Sequence, residues 1–178
     1  YKYWNAVMAM LGVGFSGFTL WQLRNALVAE LSPGQTPRMI GFNNSVLVDP
    51  FFIFFGFIFL AATALVILLS VRYMEIEAEH HGEYYALMLF ATIGMMFMAA
   101  GIDLIVQFIA LETMAISFYV LVGFLRRDRR SNEGALKYLL LGAFSSGILA
   151  SGFSIMYGVA GSTNLVDITR EFSRRAAG

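Results

Sequence analysis

The chain has 178 residues, 58% hydrophobic and only 13% charged, with a formal net charge of zero and no cysteine. A soluble domain carries about a quarter charged residues, so this composition belongs to a protein built for lipid. The balanced charge removes any electrostatic case for binding nucleic acid, and the missing cysteine excludes disulfides, iron–sulfur ligation and thiol chemistry within this sequence.

The sequence begins at Tyr1, without a secretory n-region or cleavage site, and ends abruptly at Ser173–Gly178. We therefore expect residues 1–178 to be a single transmembrane domain fragment of a longer polypeptide. Crossing the ~30 Å hydrocarbon core takes about 20 apolar residues of helix. Five stretches qualify: Tyr3–Leu23, Pro50–Tyr73, Tyr84–Gly101, Asp103–Leu125 and Gly134–Gly158. Each is apolar all round, so periodicity adds little to the length argument.

After the first stretch, the linker Asn25–Asp49 holds Pro33, Gly34, Pro37 and Gly41 and predicts an exposed irregular loop. Asp49-Pro50 is an N-cap followed by proline at the first helical position, where its missing N–H costs nothing. Between the second and third stretches, the run from Glu75 to Glu83 contains His80 and His81. Adjacent histidines point apart on most backbones and no distant ligand partner is at hand, so a solvated acidic loop is the expectation rather than a metal site.

Gly101 is suited to close the third helix in the left-handed conformation while Asp103 caps the fourth, leaving a hairpin of about two residues. That makes the third and fourth helices antiparallel neighbours. Ser131 or Asn132 is expected to cap the fifth, with Glu133 in its first turn. Within it, Gly142, Ser146 and Ala150 recur every four residues, beside Ala143, Gly147 and Ser151. Such small-residue spacing lets helix backbones approach closely in lipid.

Gly161-Ser162-Thr163-Asn164 then breaks and re-caps the chain. From there Leu165, Ile168 and Phe172 share one helical face, with Asp167, Arg170, Glu171, Arg174 and Arg175 on the others. A short amphipathic helix over 164–175, lying on the membrane surface, follows. The fold class is all-α integral membrane protein: five transmembrane helices plus this surface helix.

Lysine and arginine at the helix ends predict orientation. One side collects Lys2, Arg72, Arg126, Arg127, Arg129, Arg130 and Lys137, and the other Arg24, Arg38, Arg170, Arg174 and Arg175. Four of these arginines cluster around the short loop 126–133, which places that loop in the cytoplasm.

Glu112 carries the chemistry. It stands nine residues from Asp103, about 14 Å along a helix and so near the bilayer midplane. A charged group there costs at least ~3 kcal/mol on the most lenient insertion scales, so it faces protein or water. Desolvation favours the neutral form of a carboxyl and a nearby cation the charged one; a carboxyl between the two can load and release a proton. The alternative is an ion pair or hydrogen bond that only fixes packing.

Lys137 enters the fifth helix near its start, roughly 15 Å shallower than Glu112, too far for a direct salt bridge. It is either a lysine snorkelling to the interface or an entry-side proton group. Gln107, Thr113, Ser117, Tyr119 and Tyr138 are candidates to line a path between the two.

The strings LETMAISFYVLVGF, RRSNEGALKYLLLGAFSSGIL and MYGVAGSTNL strongly resemble the antiporter-like subunit N (subunit 2) family of respiratory complex I, the NADH:quinone oxidoreductase. With their surroundings they span about half of the chain, from Glu83 to Leu165. DPFFIFFGFIF and Tyr3–Leu23 fit the two preceding helices of that family. The cation/proton antiporter subunits that share the fold fit less well.

The resemblance implies a larger bundle of two inverted repeats, of which this chain holds the second to sixth helices. Glu112 matches the intramembrane glutamate of the family's fifth helix and Lys137 a lysine of the sixth. The broken seventh helix, whose lysine pairs with that glutamate, has no counterpart here. The implied function is proton translocation in a redox-driven oxidoreductase through a Glu112/Lys137 relay, with no redox site in this chain. Quinone, FMN and iron–sulfur clusters belong to other subunits, so no cofactor is expected here. The implied partners are the other membrane subunits of complex I and the lipid bilayer, in a bacterial inner membrane. A structural scaffold within such a complex, or a subunit of a cation/proton antiporter, is the alternative.

Overall fold

A computed structural model describes residues 2–29, 38–77 and 81–176. In chain order these form α1 (Lys2–Ala29), β1 (Met39–Gly41), β2 (Val46–Val48), α2 (Pro50–Glu77), α3 (His81–Ala100), α4 (Leu104–Val122), α5 (Arg129–Ala160) and α6 (Leu165–Ala176). The first five helices are long and apolar enough to cross a membrane, and the chain is an all-α membrane protein apart from one short hairpin.

That hairpin corrects the irregular loop expected over Asn25–Asp49. α1 continues through Ala29, and β1 pairs antiparallel with β2 from Met39–Val48 to Gly41–Val46. The turn between them holds Phe42, Asn43 and Asn44 at φ of 49°, 53° and 62°. Asparagine tolerates this left-handed region far better than phenylalanine does, so the strain is concentrated at Phe42. Residues 30–37, with Pro33, Gly34 and Pro37, and residues 78–80, with His80, lie outside the described residues.

Three connections meet at the hairpin end of the bundle. Ile102 N donates to Ser45 O at 3.0 Å, Leu104 N to Thr163 O at 2.9 Å and Leu165 N to Ile102 O at 2.9 Å. Asn164 Nδ2 donates to Asn44 O at 2.7 Å, and the Thr163 hydroxyl donates to the second oxygen of Asp103. The hairpin, the α3–α4 turn and the α5–α6 turn are thereby laced together. This lacing also displaces the expected role of Gly101: it forms a bridge with Val46 rather than a left-handed cap. Among the described residues Gly161, at φ 70°, is the one glycine with positive φ, and it closes α5.

Caps set the remaining boundaries. Asp49 accepts from Phe52 N at 2.8 Å and Asp103 from Ile105 N at 2.8 Å, as their positions before helices predict. The α5 cap is Asp128, which accepts from Arg130 N at 3.0 Å, rather than Ser131 or Asn132. Those two are engaged in tying the preceding loop, Ser131 to Val122 O and Asn132 to Arg126 O. Glu133 consequently falls in the second turn of α5.

The core runs along α1, α2 and α3. α1 buries Ala6, Val13, Leu20 and Leu27, and α2 buries Ile53, Leu60, Ile67 and Met74. Both sets recur every seven residues, the spacing of a coiled-coil seam. On α2, Thr63 lies on the buried side and its hydroxyl sits 2.7 Å from that of Thr92 on α3. α3 then packs on α4 so closely that a methyl group on Gly94 would lie 2.7 Å from Met114 N and 2.8 Å from Ala110 O.

Candidate functional site

Glu112 is the ninth of the 19 residues of α4. It is half-buried, and its Oε1 is enclosed with no hydrogen-bond partner among the described residues. Buried polar atoms are seldom left so, and a bare carboxylate oxygen is among the costliest to leave. The site is thus built around an unmet demand for a proton, a donor or a cation.

Helical spacing fixes which way the carboxyl faces. Gln107, Ala110 and Met114 lie on the α3 side of α4: Ala110 and Met114 contact Gly94, and Gln107 Nε2 donates to Met98 O and Gly101 O at 3.0 and 2.8 Å. The α5 side carries Ile105, Phe108 and Tyr119. Ile105 and Phe108 share a cavity of about 430 Å³ with Ala150, Phe153, Ser154 and Tyr157 of α5. Tyr119 fits against Gly142, where an added methyl group would overlap the phenol oxygen. Glu112, four residues beyond Phe108 and seven before Tyr119, falls on this α5 side. Antiparallel pairing brings it level with the small residues from Ser146 to Ala150.

The structure does not bring Lys137 to Glu112. The Lys137 ammonium sits 2.6 Å from Glu133 Oε1, with its side chain 69% exposed. This is an (i, i+4) pair with the acid on the N-terminal side, a favourable helix-surface arrangement worth about 0.2–0.5 kcal/mol. Of the other path candidates, Gln107 fastens the end of α3. The hydroxyls of Thr113 and Ser117 donate back along their own helix to Ile109 O and Thr113 O, each at 2.7 Å. Tyr119 and Tyr138 do meet, edge to face, with ring centroids 4.7 Å apart.

Two features escape sequence reasoning: the seat of Gly94 on the α4 backbone and the fit of Tyr119 into Gly142. The small-residue stripe of α5 signalled a close approach somewhere, but no linear pattern names the partner ring. Among the described residues, no three His, Asp or Glu side chains gather as metal ligands, and residues 78–80 of the acidic run around His80 and His81 lie outside the described residues.

Residues 100–177 match the family described as NADH:quinone oxidoreductase/Mrp antiporter, TM. The chain is 54% identical over 177 residues to NADH-quinone oxidoreductase subunit N 1 of Koribacter versatilis, covering 99% of this chain and 34% of that protein. It is 55% identical over 169 residues to subunit N 2 of Solibacter usitatus, covering 95% and 34% respectively. The chain therefore spans about a third of the length of these curated relatives.

Among solved structures, it superposes on a chain of respiratory complex I from Thermus thermophilus with bound aureothin. The TM-score is 0.62 at 25% identity, over 93% of this chain and 38% of that one. A chain of the membrane-bound sulfane sulfur reductase, an archaeal respiratory membrane complex, gives a TM-score of 0.67 at 20% identity, over 94% and 34%. The second likeness is one of fold alone.

Proposed function

We infer that this chain, a member of the antiporter-like membrane family that includes subunit N of NADH-quinone oxidoreductase, supplies a proton-carrying carboxylate, Glu112, to the membrane part of such an oxidoreductase. The observation that carries this reading is the enclosed, unpartnered Oε1 near the middle of α4. An acid at this depth faces protein or water and marks an ion or proton route by default. In the charged state it needs a cation or water, and in the neutral state it needs only its proton. Movement of a cation toward or away from it shifts the balance between loading and release.

That cation is assigned to the rest of the assembly, since no ion pair to Glu112 forms among the described residues. Lys137 is the entry-side group at the arginine-rich end, which faces the cytoplasm of a bacterial inner membrane. Its partner Glu133 holds it at the surface, so a relay from it to Glu112 runs through hydroxyls and water rather than direct contact. Electron transfer and quinone chemistry take place on other subunits, and this chain binds no redox group.

Glu112→Gln in the full complex, reconstituted in vesicles, tests the assignment. It keeps the shape of the side chain and removes the titrating proton. Proton pumping and the quinone reduction coupled to it are expected to fall at least about tenfold, with the amount of complex on native gels unchanged. Normal pumping in an intact complex overturns the reading. Loss of assembly with normal turnover in what assembles supports a scaffold instead.

A further inference from the structure

We propose that Tyr119 is the hydroxyl through which protons pass between the arginine-rich end of the α4–α5 interface and Glu112, and that Gly142 exists to seat it. The proposal rests on the reading of Glu112 as a proton carrier and deepens it by naming the group that feeds it.

Elimination comes first. Thr113 and Ser117 have their protons committed to backbone carbonyls of α4, and Gln107 is committed to the end of α3. Tyr119 is different. Only 8% of the residue is exposed and among the described residues its hydroxyl makes no hydrogen bond, yet the phenol oxygen is not enclosed as Glu112 Oε1 is and keeps an accessible face. It is the uncommitted hydroxyl on the side of α4 that carries Glu112.

Placement comes next. The phenol occupies the notch left by Gly142: a methyl group there would lie 1.8 Å from Tyr119 Oη and 2.4 Å from Cζ. The ring is steadied by Tyr138 at an interplanar angle of 87°. Tyr138 follows Lys137 on α5, so the seat of Tyr119 lies toward the lysine end of that helix. In the other direction, helix side chains lean toward the N-terminus of their own helix, which carries the phenol from position 119 back toward 112. Seven residues span about 10.5 Å, and the lean closes part of that. The remainder is left for water to bridge.

At the arginine-rich end, a methyl on Gly123 would meet Ala135 Cβ at 2.8 Å, so α4 and α5 are pressed together there. The opposite half of the same interface holds the cavity of about 430 Å³. The hairpin half of the interface is the open one, while Tyr119 fills the interface on the other side of Glu112. A proton arriving on the phenol oxygen from water at the lysine end releases the phenol's own proton toward Glu112. The tyrosine is unchanged after the step, and the carboxylate gains one proton.

The test uses the full complex in vesicles. Tyr119→Phe keeps the ring in its seat and removes only the hydroxyl; pumping per quinone reduced is expected to drop about fivefold or more, with assembly intact. Replacing Tyr119 by 3-fluorotyrosine, almost the same shape with a more acidic phenol, is expected to displace the pH profile of pumping, which a packing role would not do. Parent-like pumping in Tyr119→Phe alongside loss in Glu112→Gln overturns this proposal and leaves the Glu112 reading standing. Parent-like pumping in both variants removes both. If the phenylalanine variant does not assemble, the fluorotyrosine profile decides, and an unmoved profile overturns the proposal.

Discussion

α4 meets its two neighbours in opposite ways. Toward α3 the backbones touch at Gly94, Gln107 is bonded across, and behind α3 the Thr63–Thr92 contact joins α3 to α2. Toward α5 there is a cavity of about 430 Å³, and α5 itself buries none of its residues. In lipid no hydrophobic force draws helices together, so close backbone contact and interhelical hydrogen bonds decide which pairs are firm. The firm side fixes the depth and rotation of α4. The loose side carries Glu112, four residues along α4 from the cavity-lining Phe108, with its Oε1 enclosed and unpartnered. A carboxyl on the α3 side would be sealed dry against backbone and could not exchange its proton.

The strongest way to break this contrast is Gly94→Leu. The atoms it would strike are the α4 backbone at Met114 and Ala110, which cannot swing aside as a side chain can. Overpacking of this kind costs about 1–3 kcal/mol, and the upper end is expected here. The assembled complex on native gels should fall to a minor fraction of the parent, with Glu112 activity lost as a consequence. Parent-like assembly would mean that α3 and α4 slide freely, and the firm side would not be firm.

The Thr63–Thr92 contact holds the firm side through side chains rather than backbone. Thr63 also reaches Phe59 O at 2.8 Å and Thr92 reaches Met88 O at 2.9 Å. Two hydroxyls own two protons, and three contacts need three, so one backbone bond gives way whenever the side chains bond each other. Each residue retains a good partner when the other is removed. Thr63→Val and Thr92→Val are therefore expected to be individually mild, with a coupling energy of about 0.6 kcal/mol in a double-mutant cycle of detergent stability. Strict additivity would show that α2 and α3 are held by apolar packing alone.

Much of this architecture is legible in the sequence because the bilayer imposes length. Five apolar stretches became five helices, and Asp49, Asp103 and Asn164 mark helix starts through short-range chemistry that needs no tertiary context. What was not legible depends on partners distant in sequence. The hairpin over Met39–Val48 forms where glycine and proline argued for irregular chain, and it is held by Ile102 and Asn164, more than 50 residues away. The start of α5 at Asp128 was hidden because Ser131 and Asn132 are equally good caps, and only the fold shows them spent on Val122 and Arg126. Of the site, Glu112 stood out by its cost in lipid. Tyr119 did not, since an aromatic in a membrane helix is ordinary until its seat at Gly142 is seen.

The smallest effect belongs to the short helix α6. On α6, Glu171 Oε1 accepts from Arg175 Nε and Arg174 Nη2, both at 2.9 Å. Hydrogen bonds from Arg175 first and Arg174 second hold its carboxyl below the ordinary value of 4.5. A depressed folded-state value means that the folded helix prefers the charged form. The contribution is then present above pH 4.5 and is lost as pH falls from there through the lower folded value. Because Glu171 is only partly covered and its two arginines are largely exposed to salt, the effect should be slight. Hydrogen exchange of α6 amides in the complex, corrected for intrinsic rates, should show Glu171→Gln slightly less protected than the parent at pH 7. The two should converge once the pH has fallen below the lowered folded value, where both side chains are neutral. A difference that persists undiminished at the acid end would mean that Glu171 steadies α6 by packing rather than by its charge.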